Sequence, residues 1–241
     1  ESLEQYIEKN GYDVIISGSD QVLNPNINDF EMAFLYPFKT KAKKIAYAAS
    51  TGNASPDDIQ KIQCYLDDFS KISIREQKDL GKFDAETAAR LSVVCDPVML
   101  LRADTWNNML EQPSGKPYLI CYFLHKKLFR EEFAIAQKIA KSRSLELKVI
   151  NARFGPNSFR KGTVFDAGPR EFVNLIANAS YVCTDSFHGT LFSLIFHKQF
   201  SCLDTKQNHH DTRKKGLLES VGATAAYQNI EDPLKICSTL N

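Results

Sequence analysis

The chain has 241 residues, a hydrophobic fraction of 43%, a charged fraction of 24% and a net charge of +1. These values are ordinary for a water-soluble globular protein, and the length allows one large domain or two small ones. The small net charge excludes a broad positive field that would attract nucleic acid or an anionic membrane, although a local basic pocket is compatible with it. We therefore expect no nucleic-acid partner.

The sequence shows no targeting or membrane-spanning pattern. The first ten residues are polar and acidic, whereas a secretory signal places an apolar run after basic residues. The longest apolar run, residues 118–124, is far too short to cross a bilayer. We expect no transmembrane segment and a cytoplasmic location, with the inner face of the membrane as one position within it.

Cysteine spacing gives no sign of a metal or redox site. The closest two of the six cysteines, Cys183 and Cys202, are 19 residues apart, so the C-x-x-C pattern is absent. Four of the cysteines lie in apolar, strand-like segments, which is typical of small buried thiols in a reducing compartment. We expect free buried thiols, no metal and no cofactor.

Short apolar runs alternate with amphipathic helical patterns along the chain. Runs rich in Val, Ile, Tyr and Phe predict buried strands, and they lie at residues 14–16, 45–49, 72–74, 93–95, 118–123, 145–150, 181–183 and 200–203. Ser55 and Pro56 predict a helix start, and two further helices are expected near residues 133–140 and 169–179. Strands separated by helices of this size predict a parallel α/β fold.

A cluster of proline, glycine and polar residues at 110–117 predicts a domain boundary. We therefore expect two α/β lobes, residues 1–112 and 113–241. With about four strands, and only a short helix before the first of them, the first lobe is expected to be incomplete at its N-terminus.

The segment Thr184–Thr190, of sequence TDSFHGT, stands between a predicted strand and a predicted helix. Ligands bind at such strand–turn–helix junctions in open α/β sheets, and the N–H groups and dipole of a helix start attract anions. Ser186 is the expected N-cap, and the N–H groups of residues 188–190 are the expected anion donors. Gly189 would let a ligand approach the backbone, and His188 would be the reactive group. A packed histidine without function is the alternative for His188.

Polar residues also follow two predicted strands of the first lobe. Gly18 and Ser19 suit a tight turn, and Asp20 is either a base or hydroxyl ligand, or a cap residue of that turn. Arg75 follows the third strand and can bind a carboxylate or phosphate bidentately, or simply lie at a solvated edge. Arg213 and Lys214 add positive charge after the last strand. Adjacent histidines such as His209 and His210 rarely point the same way, so metal binding is not expected there.

In order along the chain, five segments resemble the polysaccharide pyruvyl transferase family. The order makes the match specific, and it rests on residues 12–22 (YDVIISGSDQV), 45–50 (IAYAAS), 72–76 (ISIRE), 95–101 (CDPVMLL) and 179–193 (ASYVCTDSFHGTLFS). The sequence departs from the family pattern at Leu23, where tryptophan is common, and it lacks the family's N-terminal strand and glycine-rich loop.

The resemblance implies a glycosyltransferase-B-like fold and an exopolysaccharide-type biosynthetic transferase. It implies transfer of pyruvate from phosphoenolpyruvate, as co-substrate, to the hydroxyls of a saccharide acceptor as a ketal; the acceptor can be lipid-linked. By position, His188 matches the essential histidine and Arg75 a donor-binding arginine, whereas Ser186, Phe187 and Gly189 match the turn around the donor phosphate, with Thr190 beside them.

The residues leave some roles and two other functions open. Asp20 or Asp185 can accept a hydroxyl proton, and Asp185 can instead brace the turn. A nucleotide-sugar glycosyltransferase on the same fold is one alternative function, because fold alone does not set chemistry. A non-catalytic binding remnant is the other.

Overall fold

The computed structural model describes residues 2–27, 32–108, 110–111, 115–125, 127–150, 162–204 and 213–230. The chain divides into two compact units, Glu1–Leu100 and Leu101–Asn241. The division falls before the predicted linker at 110–117, part of which lies outside the described residues, as do His209 and His210. In each unit the described strands form one parallel sheet.

The first unit contains a four-stranded parallel sheet whose strands are paired in chain order. Its strands are β1 (Val14–Ser17), β2 (Lys43–Ala49), β3 (Phe69–Ile74) and β4 (Leu91–Val93). Ile16 of β1 pairs with Ile45 of β2, and the register between β2 and β3 shifts twice. All carboxyl ends therefore lie at one edge of this sheet.

The second unit contains a six-stranded parallel sheet in which the pairing order departs from the chain order. Its strands are β5 (Tyr118–Tyr122), β6 (Glu146–Ile150), β7 (Thr163–Val164), β8 (Tyr181–Thr184), β9 (Phe200–Asp204) and β10 (Tyr227–Asn229). They pair in the order β7-β6-β5-β8-β9-β10. Strands β5 and β8 are central, and three of the four paired residues of β5 and all four of β8 are buried.

Helices and short 3-10 turns connect these strands. The helices are α1 (Leu3–Asn10), α2 (Pro56–Gln63), α3 (Ala85–Arg90), α4 (Ala103–Asn107), α5 (Phe129–Ser142), α6 (Pro169–Ala177), α7 (Phe187–Ile195) and α8 (Arg213–Ser220). The 3-10 turns are Met32–Leu35, Leu66–Asp68, Gln77–Lys82, Pro97–Leu100 and Thr224–Ala226. No helix among the described residues has the length and apolar character needed to cross a bilayer.

Local sequence explains where these helices begin. Ser55 caps α2 by accepting the N–H of Asp58, whose side chain in turn accepts the N–H of Ser55, and Pro56 fills the first helical position. Ser2 caps α1 in the same reciprocal way. The predicted helix starts at 56 and 169 are therefore confirmed, and each starts with proline.

The two apolar cores lie against the faces of the two sheets. In the first unit, Ile59 and Ile62 of α2 are buried against Ile72 and Ile74 of β3 in one cluster. In the second unit, Phe133, Ala136 and Ile139 of α5 are buried with Leu119 of β5 in another. The apolar runs and helical patterns of the sequence predicted helices packed on parallel sheets. Both sheets show this packing, so the α/β prediction is confirmed.

Some details differ from the expected elements. Helix α2 ends at Gln63, and Leu66 and Phe69, whose spacing would continue its apolar face, belong instead to a 3-10 turn and to β3, where both are buried. Strand β4 ends at Val93 rather than at residue 95, which leaves Cys95 exposed instead of buried. Cys121, Cys183 and Cys202 are buried, as predicted.

Strand β3 provides a test of the first core. Ile74 is fully buried, whereas Ile16 on β1 of the same sheet is 57% exposed. Ile74→Ala is expected to lower the free energy of unfolding by about 2–5 kcal/mol, because it removes buried methyl groups and leaves a cavity. Ile16→Ala, the matched control, is expected to change it by less than about 0.5 kcal/mol. Urea denaturation followed by circular dichroism measures both, and equal losses would contradict the assignment of the core.

Candidate functional site

The strand order of the second sheet reverses between β5 and β8. From β5 the chain proceeds outward through β6 and β7, and it then returns to the other side of β5 and proceeds through β8, β9 and β10. In doubly wound sheets of this order, ligands bind in the crevice beyond the carboxyl ends of the two strands where the order reverses. The segments that follow β5 and β8 therefore form the candidate site.

Helix α7 begins directly after β8, and its cap is formed by Ser186. The Ser186 hydroxyl accepts the N–H of Gly189 at 3.3 Å, and its carbonyl accepts the N–H of Thr190 at 3.0 Å. The N-cap prediction for Ser186 is confirmed. The expectation that Gly189 and Thr190 offer their N–H groups to an anion is wrong, because both bind Ser186. The N–H groups of Phe187 and His188 lie in the first turn of α7, at the positive end of the helix dipole.

The small residues of the turn serve packing rather than ligand approach. A Cβ atom at Gly189 would lie 2.5 Å from the Thr184 hydroxyl oxygen, so glycine lets α7 pack against the end of β8. Thr184 in turn donates to the Tyr122 carbonyl of β5 at 2.6 Å. Thr190 is fully buried, and its hydroxyl donates to the Ser186 carbonyl at 2.9 Å. These contacts argue against direct ligand binding by Gly189 and Thr190.

Asp185 ties the turn after β8 to the loop after β5. Its carboxylate accepts the N–H of Leu124 at 2.7 Å and the N–H of His125 at 2.8 Å. The Nδ1 atom of His125 lies 2.6 Å from Asp185 Oδ2, and the Asp185 side chain is fully buried. These contacts favour a bracing role, and proton acceptance by Asp185 stays a prediction.

Two basic residues at the start of α8 approach the same turn. Lys214 is 3% exposed and donates from Nζ to the carbonyl groups of Asp185 at 2.9 Å and Leu203 at 3.1 Å, with an Asp204 carboxylate oxygen at 3.4 Å. The guanidinium carbon of Arg213 lies 5.8 Å from the centre of the Phe187 ring. Positive charge is therefore present on both the buried and the outer side of the turn.

His188 is half-buried at the second position of α7. Its ring meets the Phe187 ring edge to face, with centroids 5.5 Å apart and planes at 84°. The histidine is thus placed where the helix dipole favours a bound anion.

Glu132 of α5 is a buried acid close to the same edge. The residue has no exposed surface, and neither carboxyl oxygen has a hydrogen-bond partner among the described residues. Burial, together with the nearby Asp185, raises the pKa of Glu132 to about 8. The carboxyl group is therefore neutral at neutral pH, which removes most of the cost of burying it.

His125, Glu132 and Asp185 bring three potential metal-ligand atoms within 4.8 Å of one another. Their contacts, however, suit protons better than a cation. Asp185 Oδ2 already accepts the N–H of His125, and its 2.6 Å approach to His125 Nδ1 is that of a strong hydrogen bond. The group is therefore better described as a hydrogen-bonded histidine and aspartate beside a neutral acid.

The first unit collects its predicted residues at the carboxyl edge of its own sheet. Gly18, Ser19 and Asp20 follow β1, and a Cβ atom at Gly18 would meet nothing within 4 Å. Asp20 is exposed, and its carboxylate accepts the N–H of the next residue, Gln21, at 2.8 Å. This contact is that of a turn residue, and it leaves the proposed base role of Asp20 as a prediction.

Arg75 is buried in an ion pair instead of lying at a solvated edge. Its side chain is 3% exposed, with Nη1 at 2.5 Å from Asp96 Oδ2 and Nε at 3.7 Å from Glu76 Oε1. Ser19 donates to the same Asp96 oxygen at 3.5 Å. Arg75 thus joins the ends of β1, β3 and β4 through Asp96, and its role as a donor ligand stays a prediction.

Sequence reasoning missed three residues of these two edges and the burial of a fourth, Lys214. His125 and Asp96 each follow a strand end closely, and a polar side chain at that position is a signal that could have found them. Glu132 and Lys214 lie within helical patterns, where charged residues usually face solvent, so their burial had no sequence signal.

The fold and site together define a class of α/β protein with two Rossmann-like lobes, as in glycosyltransferases of the B type. Three similar solved structures support this fold. The first is a Listeria monocytogenes protein assigned as a UDP-N-acetylglucosamine 2-epimerase, with a TM-score of 0.56 and 10% identity over 99% of this chain and 70% of that chain. The other two are the UDP-GlcNAc 2-epimerase of Methanocaldococcus jannaschii, in one structure with a TM-score of 0.56 and 13% identity over 98% of this chain and 72% of that chain, and in complex with UDP-GlcNAc and UDP with a TM-score of 0.53 and 15% identity over 92% and 71%. At these identities the likeness shows the fold alone.

The family model for polysaccharide pyruvyl transferases matches residues 2–207. The chain therefore belongs to the polysaccharide pyruvyl transferase family, as its motifs predicted. No curated protein matches the sequence.

The close approach of Gly189 to Thr184 can be tested by adding one methyl group at position 189. Gly189→Ala places a Cβ atom against Thr184 and is expected to lower the free energy of unfolding by about 1–3 kcal/mol. Gly81→Ala is the matched control, because a Cβ atom there meets nothing within 4 Å. Urea denaturation of both variants measures the difference, and a Gly189→Ala variant as stable as the control would refute the close approach.

The neutral state of Glu132 predicts a pH dependence of stability. The folded chain holds this proton with a pKa of about 8, above the ordinary value of 4.5, so its stabilising contribution is complete below pH 4.5 and is lost as the pH rises towards 8. Glu132→Gln is expected to remove this loss, which amounts to at most about 1.4 kcal/mol per pH unit.

Thermal unfolding of wild type and variant between pH 5 and 9 measures this contribution. Glu131→Gln changes an exposed neighbour on the same helix and serves as the control. Parallel pH profiles for wild type and Glu132→Gln would show that Glu132 is ionised throughout.

Proposed function

We propose that this chain transfers pyruvate from phosphoenolpyruvate to hydroxyl groups of a sugar, in a cell-surface polysaccharide or its precursor, as a cyclic ketal. Membership of the polysaccharide pyruvyl transferase family supports the transferase class. The observation that carries the choice of donor is the Ser186-capped start of α7, with His188 in its first turn, at the point where the strand order reverses.

A phosphate group suits the start of α7. The N–H groups of Phe187 and His188 and the positive end of the helix dipole attract an anion, each charge interaction contributing about 0.3–1 kcal/mol when exposed. Arg213, which lies over the outer Phe187 ring, adds a guanidinium suited to bidentate phosphate or carboxylate binding. Phosphoenolpyruvate has both groups, so the turn and Arg213 together can bind its two anionic ends.

His188 is the proposed general acid. It protonates the methylene carbon of phosphoenolpyruvate, which makes carbon two electrophilic, and a sugar hydroxyl adds to that carbon and loses its proton. The bond between carbon two and the phosphate oxygen then breaks, inorganic phosphate leaves, and a second hydroxyl adds and loses its proton to close the ketal. Asp185 is saturated by N–H donors and is therefore not proposed as the acceptor of a hydroxyl proton.

Transfer from a nucleotide sugar is the second candidate function. The order of the second sheet is that of nucleotide-binding folds, and one of the similar structures holds UDP-GlcNAc and UDP. The two donors can be separated by thermal shift with the full chain. Stabilisation by phosphoenolpyruvate but not by UDP-sugars supports pyruvyl transfer, and the reverse pattern contradicts it.

The role of His188 predicts a defined loss of activity. His188→Ala is expected to slow phosphate release from phosphoenolpyruvate in the presence of acceptor by about 10²–10⁴-fold, because the general acid is removed. His197→Ala is the matched control, since His197 is exposed at the opposite end of α7. Turnover is measured as released inorganic phosphate, and full activity of His188→Ala with an unchanged melting temperature would exclude this role.

A further inference from the structure

His125 and Asp185 form a hydrogen-bonded pair directly beside the start of α7. Asp185 immediately precedes the N-cap Ser186, and its buried carboxylate binds His125 through both the backbone N–H and the ring nitrogen Nδ1. The two residues are 60 positions apart, yet the pairing of β5 with β8 brings their strand ends together. The pair therefore belongs to the same sheet edge as the turn.

The contact with Asp185 fixes how His125 can exchange protons. An ionised carboxylate only accepts hydrogen bonds, so Nδ1 of His125 must be the protonated nitrogen. Proton exchange then takes place at Nε2, on the opposite side of the ring. The His125 side chain is 39% exposed, so solvent and ligands can reach it.

Acidic groups beneath the turn create a need for positive charge. Asp185 and Asp204 are both buried, and only Lys214, at 3.4 Å from Asp204, is a buried cation beside them among the described residues. Glu132 is neutral while protonated, so it adds no charge. A dianion that binds at the first turn of α7 would be repelled by the nearby Asp185 carboxylate, and an imidazolium at His125 would offset that repulsion.

We propose that His125 takes up a proton through Nε2 when a phosphate-like dianion binds at the start of α7, and that the resulting imidazolium, held by Asp185, is part of the anion site. The proton comes from solvent, and no covalent bond changes. The inference rests on the proposed function only in that α7 binds a phosphate group. His125 would thereby favour a dianionic donor over a neutral or singly charged one.

The charged and titratable groups around this pair come from five elements. Glu132 and Glu131 lie on α5, Asp185 and His188 on the turn and first turn after β8, Asp204 on β9, and Arg213 and Lys214 on α8. Of these, Glu132, whose pKa is raised to about 8, and the second histidine, His188, can also exchange a proton. The experiment must therefore separate His125 from Glu132 and His188.

Proton uptake can be counted by isothermal titration calorimetry with the full chain. Sulfate is the first probe, because it stays a dianion across the pH range and contributes no protons of its own, and phosphoenolpyruvate is the second. Titrations at one pH in two buffers of different ionisation enthalpy give the number of protons bound with each anion. The wild type is expected to take up close to one proton, and its affinity is expected to fall by up to about tenfold per unit as the pH rises.

His125→Asn is the test variant, because its amide can still donate to Asp185. It is expected to bind the anions without proton uptake and with an affinity that no longer depends on pH between 6 and 7. Glu132→Gln, His188→Asn and His197→Asn, the controls, are expected to keep the uptake. Melting temperatures establish that each variant is folded.

Three results would overturn the inference while leaving the anion site in place. They are unchanged proton uptake in His125→Asn, loss of uptake in His188→Asn instead, or anion binding that requires Mn²⁺ and is abolished by EDTA, which would assign His125, Glu132 and Asp185 to a cation. Absence of any binding of sulfate and phosphoenolpyruvate to the wild type would instead contradict the proposed donor site, and the inference with it.

Discussion

The buried carboxylate of Asp185 makes the contact that gives the carboxyl edge of the second sheet its shape. It binds two backbone N–H groups of the loop after β5 and the ring of His125, and the residue itself begins the turn that leads to Ser186 and α7. Loop N–H groups that would otherwise need water are thereby satisfied inside the protein. The position of the α7 start relative to β5 therefore depends on one side chain.

Burying that carboxylate is tolerated because charges around it are matched. Lys214 binds the Asp185 carbonyl and lies within 3.4 Å of the Asp204 carboxylate, so one buried cation serves both the turn and the end of β9. Glu132, which has no such partner among the described residues, has a pKa of about 8 and remains protonated. An ionised carboxylate without partners would cost several kcal/mol in this position, so the buried Glu132 side chain is more stable in its neutral, protonated form.

Sequence patterns predicted the elements of this structure that depend only on residues close together in the chain. The strand runs, the helix that begins at Pro169 and the cap at Ser186 follow from hydrophobic periodicity and capping preference, and they were found. Strands β7 and β10 were missed, because two or three half-buried residues carry too little pattern.

The contacts that assemble the site were not predictable in the same way. The pairing of His125 with Asp185 depends on the reversal of strand order at β5, which a single sequence does not encode locally. Gly189 was interpreted as space for a ligand, whereas the structure shows that it is space for Thr184. Short-range rules thus identified the turn, and long-range pairing decided what its residues touch.

At the carboxyl edge of each sheet a carboxylate binds a basic side chain, but the two basic side chains differ in their acid–base chemistry. In the first unit Asp96 holds Arg75, which keeps its charge at all accessible pH values, so this pair is fixed and suits a structural role. In the second unit Asp185 holds a histidine, a side chain that can accept and release a proton at its second ring nitrogen. The proton uptake that we propose for anion binding therefore belongs to the second edge, beside the start of α7, and not to the first.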